Sequence, residues 1–192
     1  MKIFPYLIFA AVLSVIYVII FILPNHVQGF ALIPEKISQG EFWRFLTYPF
    51  DHIDMSHLLK NFIGLAIITA GVIELKTKFS DFSSVYILAG FLAVLPLWFI
   101  LQFTALGASV AIYAIFGLIA LESKKYEIKA GHVLLLFALV ILIESFLSGA
   151  STAVLSSASH LSGLFFGVFS FVFADKLRIM MNKRKVQCLR KI

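Results

Sequence analysis

The sequence predicts an all-α membrane protein: a six-helix transmembrane bundle with a short fourth helix and an interfacial first loop. Three observations carry this. Of 192 residues, 61% are hydrophobic, 21 are phenylalanine and mean hydropathy is +1.00; a soluble domain of this size needs far more charge to cover its surface. Six apolar runs approach the roughly 20 residues that a helix needs to cross the hydrocarbon. Lysines and arginines gather in alternate connections between those runs, as the positive-inside rule requires.

The first run, Tyr6–Leu23, is long for a signal-peptide core and lacks a small-residue cleavage site, so it reads as a retained helix ended by Pro24. A long connection, Asn25 to Met55, follows. Its segment Phe42–Tyr48 is aromatic and amphipathic, as expected of an element lying in the membrane interface. The second run is Ser56–Ile73, closed by the polar stretch from Glu74 to Lys78, and the third is Ser83–Phe103. The fourth, Ala108–Leu121, rises only about 21 Å, against a hydrocarbon core of about 30 Å. Its start should lie below the outer surface, reached by a dipping loop at Thr104–Gly107. Irregular backbone at that depth must be buried in protein or line a watery cavity. The fifth and sixth runs are Gly131–Leu147 and Ser157–Ala174, with a basic tail over 175–192. These elements read as a single domain, 1–192. A lone Cys188 leaves no internal disulfide and no cysteine metal cluster.

Lys2, then Lys76 and Lys78, then Lys124, Lys125 and Lys129, then the tail with Lys176, Arg178, Lys183, Arg184, Lys185, Arg190 and Lys191, occupy one side. The opposite connections hold Lys36 and Arg44 balanced by Glu35, Glu41, Asp51 and Asp54, or carry no charge. The expectation is an integral, multi-pass protein with both termini cytoplasmic, in the cell membrane if the source is prokaryotic. A basic tail next to a membrane helix rests near anionic lipid, so membrane lipid rather than nucleic acid is the expected partner.

On this topology helices two, four and six run in the same direction, and their first turns share one level. There lie His57 and Asn61, Ser109, and His160. Polar groups inside a bilayer must satisfy one another or do chemistry. Ser109 starts a helix, where free N–H groups and the positive dipole end favour an anion; its bland reading is a serine that bonds its own helix. His160 shares a face with Gly163 and Gly167, a spacing that lets two membrane helices approach closely. Its imidazole could then serve Ser109 as general base. It lacks acidic and cysteine neighbours for a metal site, and no aspartate is placed to orient it, so the pair would be a dyad. Tyr113, one turn below Ser109, would hold the ring by packing, or is an ordinary buried aromatic. His57 and Asn61, four apart, would donate toward an oxyanion or form a structural pair anchoring the first loop. His52 reads as interfacial. Glu144 falls near the outer end of helix five, within reach of water, and is given no catalytic role.

In this order the residues resemble a known family. Trp43-Arg44 with Thr47, Phe50 with His52, His57 and Asn61, Gly107-Ala108-Ser109 followed by Tyr113 and Gly117, and Ser159-His160 with Gly163 and Gly167 are together similar to the motifs of the rhomboid intramembrane serine proteases. Glu74 also falls where that family usually has a glutamate. The resemblance implies hydrolysis of a peptide bond in or near a substrate's transmembrane segment, with no cofactor and no metal. Ser109 would be the nucleophile and His160 the base. His57, Asn61 and the Ser109 amide would form the oxyanion hole, and Tyr113, Gly107, Gly163 and Gly167 would support them. The partners implied are transmembrane protein substrates.

One position departs from the pattern: Val110 follows the serine where the family has glycine. If its β-branched side chain faces helix six, the pair opens and the chain becomes a pseudoprotease that binds transmembrane helices. If it faces lipid or helix two, the enzyme stands, and the retained reacting groups favour that reading. A channel or transporter would call for half-length spans repeated in the two halves of the chain, and none is seen.

Overall fold

The structure, a computed structural model, describes the backbone of residues 2–148 and 151–189. Among the described residues it is helical throughout, apart from one isolated antiparallel bridge in the loops. Helix α1, Phe4–Phe21, starts on Pro5, whose missing N–H costs nothing in a first turn. It buries one stripe, Tyr6, Leu13 and Tyr17. Two tyrosine hydroxyls close the polar account of that stripe: Tyr6 donates to the Thr77 carbonyl at 2.5 Å, and Tyr17 pairs with Tyr86 at 2.5 Å. The other face of α1 is apolar and exposed, as it must be against lipid.

The connection to the second span is a set of short helical turns, His26–Phe30, Pro34–Ser38 and Arg44–Thr47, then a 3₁₀ turn at Tyr48–Phe50. Phe42, Trp43 and Leu46 are exposed, in keeping with an interfacial position. Arg44 turns inward instead. It is 1% exposed and donates to Glu41 Oε2, to the Ala31 carbonyl at 2.6 Å and to the Gln28 carbonyl at 2.5 Å. A fork of five donors suits this task, because it gathers the orphaned carbonyls of several turns at once. Thr47 Oγ1 adds a bond to the Phe30 carbonyl at 2.9 Å.

Helix α2, Met55–Glu74, is capped by Asp54, which accepts from the His57 N–H at 2.7 Å. Helix α3 runs Phe79–Leu92 and resumes at Leu95–Leu101 after a break at Ala93–Val94. Pro96 supplies no donor for the preceding turn, which explains the break. The Ser162 hydroxyl on the last helix donates to the Ala93 carbonyl there. Helix α4, Ser109–Glu122, is 14 residues long and sits at the centre, with buried residues on every side. Helix α5, Ala130–Ser148, and helix α6, Ser151–Leu189, complete the bundle. Among the described residues four helices, counting both parts of α3 as one, are long and apolar enough to cross a membrane. The protein is an integral, multi-pass all-α membrane bundle.

The largest difference from the sequence expectation is α6. A start at Ser157 and an end at Ala174 were expected; the helix begins at Ser151 and continues to Leu189. The stretch from Ser151 to Ser156 is polar enough to read as loop, yet it contains no glycine or proline to stop a helix. Beyond Ala174 the lysines, arginines and methionines are good helix formers and again nothing breaks the run. Helix α3 likewise begins at Phe79 rather than Ser83, because serines and an aspartate are tolerated in a first turn. Gly149, the side chains of Arg178, Lys183, Arg184, Lys185 and Cys188, and all of Arg190 and Lys191 lie outside the described residues.

Candidate active site

Close contact between α4 and α6 builds the site. A methyl group placed on Gly163 would lie 2.3 Å from the Val110 carbonyl oxygen, and one on Gly167 would lie 1.9 Å from that of Ala114. From the other side, a methyl on Gly117 would lie 2.4 Å from the Leu164 carbonyl. The two backbones touch over two turns because three glycines remove the side chains between them. His160 stands one turn before Gly163, so the contact delivers its ring to Ser109. His160 Nε2 lies 2.9 Å from Ser109 Oγ.

The His160 ring is 8% exposed and stacks on Tyr113, with centroids 4.4 Å apart and planes 24° apart. Packing of this kind fixes the plane of an imidazole without spending either nitrogen. The longer α6 also changes the geometry expected for the site. His160 lies not in the first turn but nine residues into the helix, about 13 Å along it at 1.5 Å per residue. That depth matches the buried start of the short α4.

Ser109 is the first residue of α4, and the loop expected to dip precedes it. Its backbone groups are satisfied by the first loop. Leu32 and Ala105 exchange both hydrogen bonds, at 2.9 and 3.1 Å, and the Gly107 N–H donates to the Tyr48 carbonyl at 2.9 Å. Tyr48 is held in turn by its hydroxyl, which donates to the Gly90 carbonyl at 2.6 Å. Gly107 has φ +102°, and a methyl there would sit 2.6 Å from His57 Cε1. Only glycine allows both the backbone turn and the approach of His57.

His57 and Ser109 line two cavities that meet at the Ser109–His160 pair. One, of about 570 Å³, opens among α2, α4, α5 and α6 and includes Asn61, Tyr113 and Glu144. The other, of about 530 Å³, lies under the dipping loop and includes Tyr48, Val94, Val110 and Ser159. Val110 is buried and lines this second cavity, and its carbonyl group and Cα are the atoms nearest to where a methyl on Gly163 would lie. Asn61 is also buried; its amide donates to the His57 carbonyl at 2.9 Å, leaving one N–H uncommitted by that bond.

His52, expected at the interface, is instead fully buried behind His57. Their ring centroids are 5.2 Å apart, and Tyr17 packs edge-on from the other side. Burial, and after it the neighbouring His57, pushes the His52 ring down to about 3. It stays neutral and serves as a wall for His57.

Glu144, expected to stand apart near the water-facing end of its helix, lies beside Tyr113 and His160. Its Oε2 accepts from the Tyr113 hydroxyl at 3.1 Å and lies 3.8 Å from His160 Nδ1. The signal was available: a lone acid within a membrane span is a functional candidate by default. Among the described residues no group of three or more His, Cys, Asp or Glu is arranged to hold a metal ion.

Residues 39–175, well over half the chain, match the family model described as the Rhomboid domain. The chain belongs to the rhomboid family. No curated protein matches it. The rhomboid match spans the first loop from before Phe42, the dipping loop and every residue of the two cavities.

Proposed function

We propose that this rhomboid-family protein is an intramembrane serine endopeptidase, cutting peptide bonds in or near the transmembrane segments of other membrane proteins. The observation that carries the reading is the 2.9 Å approach of His160 Nε2 to Ser109 Oγ at the start of α4, between two cavities. A substrate strand crossing from one cavity to the other would bring its carbonyl to the hydroxyl. Ser109 Oγ attacks the carbonyl carbon and its proton passes to His160 Nε2. The oxyanion meets the Ser109 N–H at the positive end of α4, with His57 and the second Asn61 N–H on the flank. Collapse of the tetrahedral intermediate breaks the C–N bond, and His160 returns the proton to the leaving amine. Water activated by the same imidazole then hydrolyses the acyl-enzyme and regenerates Ser109. The charge pattern places both termini in the cytoplasm and the site toward the opposite face.

Val110 favours a second reading, a pseudoprotease that holds transmembrane helices without cutting them. The two readings part on one experiment. The protein in proteoliposomes should cleave a model transmembrane substrate and be labelled at Ser109 by a fluorophosphonate. Ser109→Ala and His160→Ala should each abolish cleavage. Turnover that persists in Ser109→Ala would sink the serine mechanism; absence of both cleavage and labelling in the wild type would favour the pseudoprotease.

A further inference from the structure

We propose that Glu144 is a positioning residue for His160, so that the Ser109–His160 pair works with a carboxylate held beside it by Tyr113; this rests on the serine-protease reading above. Two contacts converge on the carboxylate, and a third joins the residues that make them. Tyr113 stacks on the His160 ring with one part of its side chain and donates its hydroxyl to Glu144 Oε2 with another. The same oxygen faces His160 Nδ1 at 3.8 Å, on the ring edge opposite the nitrogen that meets Ser109. A single tyrosine therefore sets the plane of the imidazole and the place of the charge beside it.

At 3.8 Å the carboxylate is beyond a direct hydrogen bond but within ion-pair range. Its effect should be small while His160 is neutral and large when the imidazole carries the serine's proton. It also favours the tautomer with hydrogen on Nδ1, leaving Nε2 free to accept from Ser109. The carboxylate takes up no proton in the cycle; the proton moves from Ser109 Oγ to Nε2 and on to the leaving amine. Other charged groups around this cavity are Asp54 and Lys60 on the α2 side. No distance from either to Nδ1 is on the scale of the Glu144 contact among the ion pairs of the described residues.

A carboxylate in a span is expensive unless it faces protein or water and has partners, and Glu144 has both a cavity and Tyr113.

The test is steady-state cleavage of the model transmembrane substrate by the full chain in proteoliposomes, reading kcat, KM and thermal midpoint. Glu144→Gln keeps the shape and the acceptor for Tyr113 and removes only the charge. It should lower kcat by at least about tenfold with KM within twofold and an unchanged midpoint. Glu144→Asp should recover part of the loss. Tyr113→Phe keeps the stacked ring but releases the carboxylate, and should show a smaller fall in kcat of the same kind. A kcat within twofold of wild type in Glu144→Gln overturns the proposal and leaves the protease standing. A raised KM at constant kcat overturns it in favour of a substrate contact. If Glu144→Gln does not fold, an unchanged kcat in Tyr113→Phe is the overturning result. A wild type that neither cleaves nor labels at Ser109 overturns the protease reading and this one with it.

Discussion

Val110 stands where the family pattern has glycine, and its backbone lies against α6 at Gly163. The atoms of Val110 that crowd Gly163 are its carbonyl oxygen, its carbonyl carbon and its Cα. Val110 lines the cavity under the dipping loop together with Tyr48, Val94 and Ser159. Val110→Gly should therefore enlarge that cavity without moving the Ser109–His160 pair. We expect a stability loss of about 1–2 kcal/mol from the buried side chain and the glycine in a first turn, measured by thermal unfolding. The fluorophosphonate labelling rate at Ser109 should change by less than about threefold, a shift of about 0.7 kcal/mol in barrier; a gain of more than tenfold would mean that the valine holds the pair apart. That Ser109, His160 and Tyr113 come together was legible in the sequence, because helical spacing stacks residues three and four apart on one face. Glu144 was not. Its partner Tyr113 is 31 residues away on another helix, and no local pattern records which faces of two helices meet.

Helices α4 and α6 form the element pair on which the geometry depends. Gly163 and Gly167 could be read as a close-approach stripe, and the contact falls where they are. Relieving a 2.3 Å contact at Gly163 to ordinary van der Waals distance needs a shift on the order of 1 Å, and a shift of that size at a reacting pair costs about a hundredfold in rate. Gly163→Ala should accordingly lose about two orders of magnitude in cleavage and about 1–3 kcal/mol in stability. Gly131→Ala is the control: a methyl there meets nothing within 4 Å, and both readouts should stay at wild-type values. The full length of α6 was less legible. Helix ends are signalled by glycine, proline and caps, and the residues on either side of Ser157–Ala174 carry no such signal from Ser151 to Leu189.

For the whole molecule the decisive asymmetry is that the site opens at the start of α4 while Lys124 and Lys125 stand beyond its end. Ser109 starts α4, and Lys124 and Lys125 follow its end. Between them the helix is apolar and buried, so Ser109 and the two lysines lie at opposite ends of α4. The lysine end is tied down by its own contacts: Lys125 pairs with Glu122, and the Tyr126 hydroxyl donates to the Glu74 carbonyl at 3.2 Å. Because lysines and arginines near short loops are retained on the cytoplasmic side, cleavage should occur near the non-cytoplasmic ends of substrate spans. This can be read without any substrate. In a Cys188→Ser background, a cysteine introduced at exposed Gln39 in the first loop should react with a membrane-impermeant maleimide in intact cells. One introduced at Lys124 should react only after permeabilisation. The reverse pattern would invert the orientation and place the cut on the cytoplasmic side. Equal labelling at both positions in intact cells would mean that the charge asymmetry does not set a single topology.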